Sequence, residues 1–113
     1  MKLATCKYRQ HVIVGAVVDD KIFPFDRHGL SDMMQFLAAS AANLEKLQNK
    51  IDAGDDWLAL ADVELLSPVP RPGKYFGVGL NYEDHIAETG LEKPEFPTFF
   101  NKQTTCVIGP GQP

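Results

Sequence analysis

The sequence has no long apolar run and no basic cluster, and each lack excludes a class of protein. The longest apolar run, Val12–Val18, is far shorter than the roughly 20 residues that span a bilayer. The first ten residues carry scattered charges instead of the apolar core of a signal peptide. With 15 acidic and 11 basic residues the net charge is −4, so we expect neither a membrane nor a nucleic acid as partner.

Cysteine is also scarce. Cys6 and Cys106 lie far apart in the sequence and lack the spacing of metal ligands. They are therefore predicted to be free thiols in a reducing, cytoplasmic environment. The length of 113 residues allows one small domain with a modest core.

The first 25 residues predict β-structure. Lys2–Arg9 alternates in polarity, as a strand with one covered face does, and Val12–Val18 is β-branched and apolar. Asp19-Asp20 is a plausible two-residue hairpin turn before a third strand, Ile22–Phe25. Pro24 lacks a backbone N–H, which predicts that this third strand lies at a sheet edge.

A helical segment follows. Ser31 is the predicted N-cap, Asp32 lies in the first turn, and Gly54 ends the segment. Apolar side chains recur at three- and four-residue steps, which indicates one amphipathic helix or two helices broken near Ser40. We expect this stripe to pack on the chain's own sheet, although a partner-binding helix is the alternative. The stripe consists of Met33, Leu37, Ala41, Leu44, Leu47 and Ile51.

Alternating prolines mark a boundary in the chain. Residues 68–73, PVPRPG, predict an extended, semi-rigid connector. It separates an N-terminal α+β subdomain, residues 1–67 with a short strand at Val63–Leu66, from a second region, residues 74–113.

The second region opens with Tyr75–Gly79, which predicts a buried strand whose two glycines allow something to pack closely on the backbone. Gly77-Val78-Gly79 does not begin a dinucleotide fingerprint, since Tyr82 stands where the third glycine is needed. Asn81 is predicted to cap a short helix that ends at Gly90. Thr104–Ile108 predicts another strand, followed by a turn at Gly109-Pro110-Gly111.

His85 and Glu88 are the strongest catalytic candidates, because three-residue spacing puts them on one helix face. A carboxylate beside an imidazole fixes its tautomer and supports its positive charge, as a general base requires. An exposed pair without a function fits the spacing as well. Lys102 is either a solvated lysine or a cation at a pocket wall that holds a carboxylate or an enolate oxygen. His11 and His28 are interpreted as structural.

An ordered set of motifs resembles the fumarylacetoacetate hydrolase family. The set comprises Gly79-Leu80-Asn81-Tyr82, His85, Glu88, Pro94, Pro97, Phe100-Asn101-Lys102 and Gly109-Pro110-Gly111. The resemblance implies an α+β chain: a small N-terminal β-hairpin and helix subdomain, then the first strands and the lid helix of a β-rich catalytic domain.

The resemblance also implies a metal-dependent enzyme for 2-oxo acids. Members hydrolyse C–C bonds of acylpyruvates, decarboxylate or isomerise diacids, or hydrate dienoic acids, commonly as dimers. His85 would be the general base on the lid, with Glu88 as its orienting partner. Lys102, with Tyr82 and Asn81, would bind substrate, and Mg²⁺ or Mn²⁺ would chelate the 2-oxo carboxylate.

The sequence departs from the family after the glycine-proline-glycine turn. The family's metal ligands, an E-x-E pair and a later acidic residue, would follow Pro113, where this sequence stops. We therefore expect part of a longer protein, a truncated product or one segment of an assembly, inactive by itself. The alternative is a non-catalytic dimerisation or regulatory module that lacks the metal site.

Overall fold

The computed structural model describes residues 1–54 and 56–112 and contains both helices and strands. The chain forms two compact units, the first made of residues 1–70 with 108–112 and the second of residues 71–107. The chain passes from one unit to the other within the proline-rich segment 68–73. The turn that follows residue 107 belongs to the first unit, whereas the sequence placed it with the second.

The first unit contains a five-stranded antiparallel sheet in the order β4-β3-β2-β1-β5. Its central hairpin pairs β1 with β2 from Lys2↔Val17 to Tyr8↔His11. The turn between β2 and β3 is Asp19-Asp20, as predicted, with Val18 paired to Lys21. The strands are β1 Lys2–Tyr8, β2 His11–Val18, β3 Lys21–Pro24, β4 Leu58–Ala59 and β5 Glu64–Leu65.

The prediction that the third strand is an edge is wrong. β4 pairs with the outer side of β3 through Lys21↔Ala59 and Ile22↔Leu58. Pro24, opposite Gly15 at the end of β3, lies beyond the two residues that β4 covers. Its missing N–H therefore interrupts no hydrogen bond of that pairing.

The helical segment forms two helices, α1 Met33–Leu37 and α2 Ala41–Ala53. The break lies at Ser40, which confirms the prediction of two helices and not that of one. Ser40 caps α2 by accepting a hydrogen bond from the Asn43 N–H. The predicted N-cap of the first helix is wrong by one residue. Asp32 fills that position, and its carboxylate accepts from the Gln35 N–H at 2.8 Å.

Both faces of the sheet carry buried apolar side chains. α1 and α2 cover one face, as expected of a stripe that packs on its own sheet, and Phe36 takes the place predicted for Leu37, which is 60% exposed. Met33 and Phe36, three residues apart, share the buried face of α1. Ala41, also predicted to lie in the stripe, is exposed. The helix-covered cluster is Val14, Ala16, Phe23, Phe25, Met33, Phe36, Leu47 and Ile51. The cluster on the other face is Ala4, Cys6, Ile13 and Ile22.

The second unit has a two-stranded antiparallel sheet and one helix. β6 Phe76–Gly79 pairs with β7 Thr98–Asn101, and α3 Glu83–Thr89 lies between them in the chain. The prediction of a buried β6 is wrong, because the Phe76 and Val78 side chains are 56% and 45% exposed.

The strand predicted at Thr104–Ile108 is also wrong. Residues Thr104–Cys106 form a 3-10 turn in which the Cys106 N–H donates to the Gln103 carbonyl. The strand lies one segment earlier, at β7, where the Thr-Phe-Phe-Asn run finds β6 as its partner. The α+β class is confirmed as a mixture of helix and sheet. No helix in residues 1–54 and 56–112 is long and apolar enough to span a membrane.

Candidate functional site

Helix α3 follows β6 after a short turn that contains the motif residues. Leu80 adopts a left-handed conformation, φ 48°, which turns the chain out of the strand. Tyr82 is the N-cap residue and makes no side-chain cap hydrogen bond, so the predicted Asn81 cap is wrong. Gly90, with φ 65°, ends the helix as predicted, since the left-handed conformation suits glycine.

His85 and Glu88 lie on α3, where their three-residue separation puts both on one face. Both side chains are exposed. No hydrogen bond joins the two within the described part of the chain, so the imidazole is open to a substrate or to water. The helix therefore presents an imidazole and a carboxylate to solvent on one face.

Lys102 directly follows β7 and is fixed through its backbone. Its N–H donates to the Tyr75 carbonyl oxygen at 2.8 Å, which extends the β6–β7 pairing by one residue. Its Nζ atom lies 5.9 Å from the centroid of the Tyr75 ring, at the outer limit of a cation–π contact. Among the described residues, no hydrogen bond or ion pair links Lys102 to His85 or Glu88.

Asn81 borders a shallow cleft of about 250 Å³ in the second unit. One wall is the end of β6 with Leu80 and Asn81, and the other is the segment 93–97. Tyr82, the remaining candidate for substrate binding, is 71% exposed. Asn81 therefore borders a small open cleft, and Tyr82 is exposed at the start of α3.

Sequence reasoning missed Lys93, which borders the same cleft. Its Nζ atom donates to the Glu83 carboxylate at 2.8 Å. The hydrogen bond and the charge of Lys93 lower the pKa of Glu83, and the same contact raises the pKa of Lys93. The two residues are ten positions apart, and the chain reversal after Gly90 brings them together. Because this spacing is not that of a helix face or a strand pair, the sequence did not predict the contact.

A divalent metal would need a cluster of carboxylate or imidazole ligands. No group of three or more His, Cys, Asp or Glu side chains in residues 1–54 and 56–112 is arranged to hold one. These residues alone do not fit the implied Mg²⁺ or Mn²⁺.

Comparisons with known proteins give consistent relatives, although no family model matches the chain. The mitochondrial oxaloacetate tautomerase Fahd2a of Rattus norvegicus is 35% identical over 98 residues, 87% of this chain and 31% of the relative. Protein Rv2993c of Mycobacterium tuberculosis is 48% identical over 60 residues, 53% of this chain and 22% of the relative. The crystal structure of an HpcE-like protein from Mycobacterium smegmatis superposes with a TM-score of 0.72 and 27% identity, covering 97% of this chain and 38% of that one.

The chain belongs to the fumarylacetoacetate hydrolase family. It spans about a third or less of the length of the curated relatives it matches, 25% of the Xenopus laevis tautomerase for example. The Xenopus laevis and Rattus norvegicus relatives are named as enzymes, oxaloacetate tautomerases, and this supports an enzyme family.

Proposed function

We propose that the chain carries the lid helix and the general base of an enzyme that acts on 2-oxo acids. The observation that carries this proposal is α3, which presents His85 and Glu88 together on one exposed face directly after the Gly79–Tyr82 turn. The similarity to relatives named oxaloacetate tautomerase supports the substrate class.

The reactions open to such an enzyme share an enolate. In a tautomerisation, His85 would take a proton from the carbon beside the 2-oxo group, and a proton would then be returned to the enolate oxygen. In a C–C hydrolysis, His85 would instead take a proton from the water that attacks the distal carbonyl, and the enolate would leave. Glu88 would orient the imidazole and stabilise its positive charge in both cases.

Lys102 would stabilise the negative charge that develops on the enolate or hold the substrate carboxylate. Its backbone hydrogen bond to Tyr75 supports this role, because it fixes the start of a side chain that is otherwise long and mobile. Asn81 and Tyr82 would contribute hydrogen bonds to the substrate at the start of the lid.

The test measures two reactions with the protein as its gene encodes it, with Mg²⁺ present: oxaloacetate tautomerisation and acylpyruvate hydrolysis. His85→Gln should lower kcat by about 10²- to 10⁴-fold, the usual contribution of a general base, and Glu88→Gln should lower it less. His11→Gln, an exposed histidine on β2, is the matched control and should retain activity. Full activity in His85→Gln would remove this residue from the mechanism.

A non-catalytic dimerisation module is the second candidate. The observation in its favour is the exposed apolar surface of the small sheet, where Phe76 and Phe99 are 56% and 66% exposed. This candidate predicts that neither Mg²⁺ nor Mn²⁺ raises the melting temperature, because a metal that bound the folded state would stabilise it. A clear rise with either ion would contradict it.

We also propose metal dependence, a homodimer and a cytoplasmic location. The oxaloacetate tautomerases of Xenopus laevis and Rattus norvegicus are, by their names, mitochondrial proteins.

A further inference from the structure

The first unit has a cleft of about 270 Å³ that the proposed reaction does not use. One wall is the turn after β3, and the other is one face of α2. The lining residues are His28, Gly29, Leu30, Asn43, Lys46, Leu47 and Lys50. Pockets for drug-sized molecules measure roughly 300–1,000 Å³, so this cleft suits a small ion or metabolite.

The α2 wall is fixed by the core of the unit. Asn43, Lys46 and Lys50 lie at three- and four-residue steps, so they share a face with Leu47. Leu47 is 3% exposed and packs in the helix-covered cluster. Because Leu47 holds this face of α2 toward the sheet, the two lysines are directed along the cleft.

The opposite wall is fixed by stacking. The His28 ring lies parallel to the buried Phe23 ring, with centroids 5.2 Å apart and an interplanar angle of 5°. Lys50 Nζ lies 3.2 Å from His28 Nδ1. An ammonium group only donates, so Nδ1 is the acceptor in this contact and Nε2 is the ring nitrogen that can carry a proton. Lys50 and His28 thus hold each other in place, and Nε2–H remains as a donor.

The charges in the cleft have one sign. Among residues 1–54 and 56–112, two lysines and no carboxylate line it, although the whole chain carries a net charge of −4. Arg27, next to the cleft in sequence, is paired with Asp56 at 2.8 Å, so that acid is engaged with a different cation. A cavity with convergent donors and unopposed positive charge attracts anions.

We propose that the cleft formed by residues 28–30 and the Asn43–Lys50 face of α2 binds a small, doubly charged oxyanion. Lys46 and Lys50 supply the charge, and Asn43 with His28 Nε2–H supplies directed hydrogen bonds. Inorganic phosphate and small dicarboxylates share this chemistry. The proposal does not depend on His85 or on the reaction proposed above.

The test is a titration of isotope-labelled protein with inorganic phosphate and, separately, with succinate, followed by amide chemical shifts at low ionic strength. Shifts should cluster at residues 28–30 and 43–50 and weaken as salt is added, because exposed charges are screened within a Debye length. Saturating shifts at these residues with either ion support the site, and the ion that binds more tightly identifies the ligand class.

Variants distinguish a specific anion site from a general attraction of anions to lysine side chains. Lys46→Met and Lys50→Met keep the aliphatic stems and remove the charges. Each should weaken binding by at least about fivefold, the effect of one pair of unit charges in contact in water. Lys74→Met, an exposed lysine outside the cleft, is the matched control and should bind as the parent does. Equal affinity in all three variants, or the same shifts with sodium chloride alone, would overturn the proposal.

His28→Phe tests the donor separately. It keeps the stack on Phe23 and removes the nitrogen atoms, so binding should weaken while the melting temperature stays close to that of the parent. Unchanged affinity in this variant would remove His28 from the proposed site.

Discussion

The Thr5 hydroxyl donates a 2.6 Å hydrogen bond to the Pro68 carbonyl oxygen, across 63 positions of sequence. Thr5 is 2% exposed in the centre of β1. The contact ties the central hairpin to the start of the proline-rich segment. A buried polar group is stabilised when it finds a partner, so this bond fixes where the chain leaves the first unit.

Thr5→Val should therefore lower the free energy of unfolding by about 1 kcal/mol, the usual net value of one hydrogen bond. Valine has nearly the shape of threonine, so little packing is lost. Thr5→Ser is the matched control, since it keeps the hydroxyl and loses a methyl group. Urea unfolding measures both, and equal stability of Thr5→Val and the parent protein would show that the bond contributes nothing.

The two glycines of β6 offer a matched pair in the second unit. A Cβ atom on Gly77 would overlap the ring of Phe100, its cross-strand partner, whereas a Cβ on Gly79 would meet only ordinary contacts at 3.7–3.9 Å. Gly77→Ala should displace the Phe100 ring and destabilise the β6–β7 pairing by about 1 kcal/mol, since the ring can move only by losing its packing. Gly79→Ala should be neutral or slightly stabilising.

Amide hydrogen exchange in β6 measures this difference. Combining Gly77→Ala with Phe100→Ala removes the overlap, so the double variant should be less destabilised than the sum of the two single variants. Strict additivity would mean that the ring does not cover Gly77.

The sequence was most informative where a local pattern settles the structure. The β1–β2 hairpin, the Asp19-Asp20 turn, the break at Ser40 and the Gly90 helix end all follow from residues within a few positions of each other. The close approach predicted at Gly77 and Gly79 is confirmed at Gly77, where the Phe100 ring makes it, and is wrong at Gly79, which has only ordinary contacts.

The failures concern partners distant in sequence. Whether β3 is an edge depends on β4, whose Leu58 pairs with Ile22 across 36 positions of sequence, and a strand of two residues has no periodicity to detect. Thr98–Asn101 and Thr104–Ile108 are equally β-prone, and only the pairing with β6 decides between them. Sequence analysis missed the Lys93–Glu83 and His28–Lys50 contacts for the same reason, because the partners are not neighbours in sequence. The roles of His85, Glu88, Lys102, Tyr82 and Asn81 stay predictions.

The two cysteines should differ sharply in reactivity. Cys6 is fully buried in β1, and burial raises the pKa of its thiol from 9.0 to about 11, whereas Cys106 is exposed. Since the thiolate is the nucleophile, iodoacetamide at pH 8 should label Cys106 alone in the folded protein and both thiols in denaturant. Mass spectrometry of the peptides measures the labelling of each cysteine. Rapid labelling of Cys6 without denaturant would contradict its burial.

The raised pKa of Cys6 also predicts how stability depends on pH. The unfolded chain loses this proton near pH 9 while the folded chain holds it until about pH 11. Between these values the folded state binds more protons, so stability falls as pH rises. Cys6→Ala removes the group, and its unfolding free energy should fall less steeply than that of the parent over this window. Parallel profiles would show that the thiol titrates alike in both states.

The Glu83–Lys93 ion pair joins the first turn of α3 to the segment that borders the Asn81 cleft. The hydrogen bond from Lys93 lowers the pKa of Glu83, so its stabilisation is present above the unfolded pKa and lost as pH falls through the folded value. Lys93→Met should return the pKa of Glu83 toward 4.5, its ordinary value, in a carboxyl NMR titration.

Global stability should hardly change in Lys93→Met, because both side chains are largely exposed, 70% and 84%, and such pairs contribute little. Lys74→Met removes a charge outside this pair and should leave the titration of Glu83 unchanged. If both variants shift the Glu83 titration equally, the cause is the general field of the protein and not the contact. If only Lys93→Met shifts it, the contact with Lys93 is the cause of the lowered pKa of Glu83.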